Sequence, residues 1–219
     1  MASTSKLISI SILVISVAGG ILLFYLMSEL PKEQRKKMIG EMVSQLVNFV
    51  LFMWAGKVLL NFSVFIKDPM AILAYPGDSG AFYAAVLFSG LLLTYKVKRG
   101  QLEGLAVGKA FVHLFLLAAF LYEFIQYAWN DQIYSLGSLI ILAILLGGFT
   151  YLNGRMATGK LLGLLLTVWA CGMSVLMVLQ PYITVFGYMI KPWFLLLFFV
   201  ANVLLLLKHY RKDGRYGWN

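Results

Sequence analysis

Glu123, Gln126, Tyr127 and Asn130 stand at i, i+3, i+4 and i+7 within a long apolar stretch. On a helix that spacing puts all four on one face, and Lys109 and His113 continue the stripe toward the other end. An ionisable side chain inside a bilayer costs about 2.5 kcal/mol or more, so by default it faces a partner or a wet cavity. Glu123 could carry a proton. His113 could act as a general base or proton relay. The simpler reading is a core histidine with its nitrogens satisfied, because no second histidine lies in an apolar stretch. Lys109, near the end of its stretch, can snorkel to the interface.

Lys57 is the natural partner for Glu123. Counted inward at about 1.5 Å per residue, both fall in the outer half of their helices. The two could form a phosphate or carboxylate site with Lys57 as the cation, or a purely structural buried pair. Asp78 and Ser79 form an acceptor edge on a turn, and D-S-G is also ordinary turn sequence. Tyr134, like Tyr127, fits either a substrate contact or an interfacial anchor. Cys171 is the sole cysteine, so there is no intrachain disulfide and no CxxC motif. No cluster of metal-ligand types occurs, and nothing calls for a cofactor.

These residues are positioned by an all-α membrane architecture. The chain has 219 residues, of which 61% are hydrophobic and 12% charged. Apolar runs fill it, leaving no room for a separate soluble domain, so the expectation is one polytopic domain over 1–219. The runs are continuous rather than alternating, which favours helices over a barrel. Seven spans are expected, at about 7–27, 42–66, 81–96, 104–129, 134–152, 161–180 and 193–207. The net charge of +9 does not indicate nucleic acid. Its Lys and Arg gather at 32–37, 96–99, 155–160 and 208–215, at alternate ends of the spans. The positive-inside rule then puts the N-terminus outside and the C-terminus in the cytoplasm, in a multi-pass protein of the cell membrane.

The first run lacks a well-placed cleavage site and reads as a retained span. Residues 28–40 read as a basic cytoplasmic connector, with a short interfacial helix as the alternative. Gly19-Gly20 and Gly147-Gly148 suggest close helix packing. The loop 181–193, with Tyr182, Phe186, Tyr188 and Trp193, reads as an interfacial aromatic belt.

The order of segments resembles the prolipoprotein diacylglyceryl transferases. The resemblance is diffuse and runs nearly end to end. W-A-G-K-V-L-L at 54–60 looks like that family's G-A-R segment, with Lys57 at the arginine. D-P-M-A-I-L-A at 68–74 and P-G-D-S-G-A at 76–81 look like its Gly-rich loop, with Asp78 or Ser79 near the family's histidine. Y-K-V-K-R-G at 95–100 is similar to the basic connector after its third span, and Tyr134 in I-Y-S falls at a tyrosine. Y-E-F-I-Q-Y-A-W-N at 122–130 stands at the signature, with Glu123 at the phosphate-handling arginine, Gln126 at the Asn and Tyr127 at the Phe. The later R-F-x-x-E-x-x-R stretch has no counterpart at 170–181.

The resemblance implies seven spans and a phospholipid-accessible cavity in the outer half. It also implies phosphatidylglycerol as the membrane partner and a lipoprotein or other membrane protein as the second. Two activities stay open: a divergent or silent transferase, and a small proton-coupled carrier using Glu123, Lys57 and His113 as its polar path.

Overall fold

A computed structural model describes residues 2–69, 79–130 and 132–214, with side chains described for 7–69, 79–130, 132–204, 206 and 207. Continuous apolar sequence satisfies its backbone internally as helix, the form a chain without water partners must take. Among the described residues there are eight helices. They are α1 (Ala2–Met27), α2 (Lys32–Leu60), α3 (Phe62–Lys67), α4 (Ser79–Lys98), α5 (Gly104–Trp129), α6 (Ser135–Leu152), α7 (Thr158–Leu179) and α8 (Pro192–Gly214). Two short strands, β1 (Thr184–Val185) and β2 (Tyr188–Met189), lie between α7 and α8.

Six helices are long and apolar enough to cross a membrane, namely α1, α2, α4, α5, α6 and α7; α8 contributes a shorter apolar stretch, Pro192–Leu204. Large apolar side chains such as Leu22, Leu51, Ile144, Val178 and Leu196 are exposed on these helices. Such surfaces suit acyl chains rather than water.

Two expectations are corrected at α2. The basic segment is helical from Lys32, but it is no separate connector or short helix: it continues into the apolar run without a break. Its Lys, Glu, Gln and Arg residues are good helix formers, so nothing local stops the helix there. At the other end, the expected span 42–66 is divided at Asn61. The Asn61 backbone N–H and side-chain Nδ2 both donate to the Lys57 carbonyl, at 3.0 and 3.1 Å, and Asn61 sits at φ −122°. A short polar side chain competing for helix carbonyls ends the helix, and α3 restarts beyond it.

The chain forms two compact units, one of residues Leu30–Val107 and one of Met1–Glu29 with Gly108–Asn219. In the first, α2 packs on α4 where Gly56 meets Ala81 and Ala84. Phe49 meets Phe82 edge to face at 5.7 Å. Lys96 Nζ donates to Glu41 Oε1 at 2.7 Å, and Gln45 Nε2 donates to the same oxygen at 2.6 Å.

In the second unit α5 is the central helix. Half of its spanning window is buried, against 17–28% in the other five candidate spans. Gly19 and Gly20 of α1 press against it. A Cβ on Gly20 would lie 2.8 Å from the Ala118 Cβ and 2.9 Å from its Cα, so only hydrogen fits there. Gly147-Gly148 makes no such seam: Gly147 has nothing within 4 Å and Gly148 only the far end of Leu165. The seams on α7 are Gly172, facing Ile141 of α6, and Gly163, facing Leu206 of α8. Trp169 of α7 joins Phe115 of α5 at 6.0 Å to Phe198 of α8 at 5.4 Å.

Candidate functional site

Glu123 lies near the C-terminal end of α5 and is 4% exposed. The hydroxyl-bearing Ser135, the first residue of α6, is its polar neighbour. Among the described residues of its unit, no cationic side chain pairs with it. Its carboxyl lines a cavity with room for about one water molecule. Phe115, Ala119 and Tyr122 of α5 form one wall, Ser138 and Leu142 of α6 a second, Trp169 and Met173 of α7 a third. Thr184, Val185 and Phe186 close it.

That closure is a β-hairpin. Thr184 pairs with Met189 and Val185 with Tyr188 in antiparallel register, and Ile190 N–H donates to the Ile183 carbonyl at 3.0 Å. The two turn residues, Phe186 (φ 51°) and Gly187 (φ 83°), are both left-handed. This is the type I′ geometry that matches strand twist in a two-residue loop. Glycine adopts it freely, and a Cβ at Gly187 would lie 2.8 Å from the Tyr122 hydroxyl oxygen. Phenylalanine adopts it at a cost of roughly 1–3 kcal/mol, and surrounding contacts must hold it. Those contacts are edge-to-face packing on Tyr122 at 5.5 Å and on Phe115 at 5.8 Å.

The aromatic belt expected over 181–193 is therefore corrected in part. Tyr182 and Trp193 are exposed as a belt requires, but Phe186 turns over α5, and Ile183, Val185 and Ile190 are buried beneath the hairpin. Burial also pushes the Tyr188 phenol above its ordinary value.

The polar stripe of α5 divides between two surroundings. Glu123 turns inward. Gln126 Nε2 donates to the Tyr122 hydroxyl at 2.8 Å, and Asn130 Nδ2 donates to Gln126 Oε1 at 2.7 Å, a ladder that leads outward to exposed Asn130. Tyr127 is 42% exposed. Tyr134 is also exposed and meets Tyr182 edge to face at 5.4 Å. Its carbonyl accepts from Gln180 Nε2 at 3.1 Å.

His113, 7% exposed, lies lower on α5 between two rings. It stacks on Phe149 at 4.4 Å and meets Phe24 edge to face at 5.4 Å. Its Nε2 has no hydrogen-bond partner among the described residues. The satisfied core histidine expected on one reading is thus buried but not satisfied at that atom. Lys109 is half-buried one turn earlier. Lys57 and Ser79, both half-buried, belong to the other unit, on α2 and at the start of α4. Asp78 lies outside the described residues. Among those described, no group of three His, Cys, Asp or Glu side chains converges as a metal set would.

Ser135, Ser138 and Trp169 were not singled out by the sequence, and Phe186 was read only as part of an aromatic belt. One signal was available for Phe186: I-T-V-F-G-Y-M-I at 183–190 has Gly inside a β-branched and aromatic run, a hairpin pattern. The arrangement can hold one small polar guest beside a carboxyl and three hydroxyl-bearing residues, among aromatic rings. No family model, no curated protein and no solved structure matches this chain.

Proposed function

We propose that this chain is a seven-span protein of the cell membrane, with N-terminus outside and C-terminus in the cytoplasm, working as a small carrier. Glu123 is the group its solute meets, and the hairpin over it is the outer closure. The observation that carries this reading is the buried Glu123 carboxyl in a water-sized cavity, with no cation of its own unit paired to it among the described residues. An intramembrane carboxyl is costly to keep, so such a group is by default a functional one.

The likeness to diacylglyceryl transferases enters as architecture and as a phospholipid setting. Handling a lipid phosphate calls for a cation, and at the corresponding position this chain has Glu123. Diacylglyceryl transfer is therefore not the activity proposed.

The test uses the full chain in liposomes on a solid-supported membrane. Jumps of small cations, amino acids and sugars should give a transient current with at least one solute. Glu123→Gln should abolish it while thermal stability in detergent stays within about 1 kcal/mol, since the amide keeps the shape and buries no charge. An undiminished current in Glu123→Gln would refute the reading. So would transfer of diacylglycerol from phosphatidylglycerol to a lipobox peptide.

A further inference from the structure

We infer that the Glu123 cavity is built for a primary ammonium group. This rests on the carrier reading of the same site and names its substrate class. The first argument is charge. Glu123 supplies the one carboxyl in the lining, and Tyr122, Ser138 and Thr184 bear hydroxyl oxygens that can accept from N–H. An anion would meet a carboxylate with no cation in the lining to offset it.

The second argument is the walls. Phe115, Tyr122, Trp169 and Phe186 all line the cavity. Successive pairs stand nearly at right angles: 81° for Phe115 with Trp169, 85° for Phe115 with Phe186 and 71° for Tyr122 with Phe186. Rings meeting this way make the corners of a box. Aromatic rings attract cations, and most strongly where water is excluded. Apart from the Tyr122 hydroxyl they provide no oxygen ligands, which disfavours hard metal ions. Calcium takes 6–8 oxygens and magnesium an octahedron, whereas this lining has one carboxyl and three side-chain hydroxyls.

The third argument is size. The room is that of about one water molecule. An ammonium head fits it, and a guanidinium, a quaternary ammonium or a phosphate does not. The ammonium can belong to a free amine or to the headgroup of an aminophospholipid, and both present the same N–H donors.

Isothermal titration of the purified full-length protein with methylammonium chloride tests this, with sodium, calcium and guanidinium chlorides at equal ionic strength as controls. Saturable heat from methylammonium alone is expected. Glu123→Gln should abolish it. Phe186→Leu should weaken it roughly three- to thirtyfold, the range that loss of one cation–π wall corresponds to. Ser138→Ala, a change too small to unfold the bundle, should weaken it as well and guards against a Phe186 variant that misfolds.

Repeating the titration in nanodiscs separates the sources. Weaker methylammonium binding with phosphatidylethanolamine than with phosphatidylglycerol alone supports a lipid headgroup, and equal binding supports a free amine. No saturable methylammonium heat, or equal heat from sodium, overturns the inference. If a Glu123-dependent current with another solute persists in that case, the carrier reading stands without it.

Discussion

The Tyr122 and Phe186 rings meet edge to face, with centroids 5.5 Å apart and planes at 71°. Through this contact the central helix holds the tip of a hairpin whose leading turn residue has a left-handed backbone. Packing offsets conformational cost here, and Glu123 stays covered while the two remain together. Phe186→Ala should lower stability in detergent by about 1–3 kcal/mol, less than a fully buried phenylalanine because the ring is only half-covered. Thermal unfolding measures this. A cysteine replacing Ser138 should become reactive to a small thiol reagent in the Phe186→Ala background and stay protected without it.

Gly20 and Gly147 should respond oppositely to alanine. Gly20→Ala places a methyl against the Ala118 backbone, and the resulting separation of α1 from α5 should cost about 1–3 kcal/mol. Gly147→Ala meets open space and should be neutral or stabilising by up to about 1 kcal/mol, from helix propensity. Comparing melting temperatures of the two variants checks the seam directly.

His113→Phe should leave stability unchanged or raise it by about 1 kcal/mol. The ring contacts with Phe149 and Phe24 can persist, and an unpartnered buried nitrogen is removed. A loss above about 2 kcal/mol would mean that the imidazole makes a hydrogen bond essential to the fold.

Lys96→Met should cost about 1–2 kcal/mol, between the values for exposed and buried pairs, because both partners are about one-fifth exposed. Adding Glu41→Gln should recover part of the loss, since Gln45 can then bond a neutral amide. Equal melting temperatures for the single and double variants would argue against that recovery.

Orientation is checked by thiol labelling in a Cys171→Ser background, which removes the exposed native thiol. A cysteine at Gln132 should react with a membrane-impermeant reagent in intact cells. One at Arg155 should react only after permeabilisation. The reverse pattern would invert the proposed topology.

Continuous apolar runs by themselves determined the helices and most of their bounds. Spans expected at about 104–129 and 134–152 appear as Gly104–Trp129 and Ser135–Leu152. Backbone satisfaction in an apolar medium is local to each helix, so it can be read from one stretch at a time. The sequence also marked Glu123 as costly to bury, since that cost belongs to the carboxyl itself.

What surrounds each residue was decided by tertiary structure alone. The same Gly-Gly pair makes a tight seam in α1 and none in α6, because the difference lies in which helix stands opposite. Glu123, Gln126 and Tyr127 share a stripe on α5 that Asn130 continues, yet only Glu123 is enclosed, because the neighbouring elements do not cover the whole stripe. The run 183–190 carries little intrinsic stability as an isolated two-stranded hairpin. Its aromatic residues read equally well as interfacial anchors until Tyr122 and Phe115 are there to receive Phe186. A short ribbon takes its conformation from the surface it covers, and that surface is assembled from three helices distant in sequence.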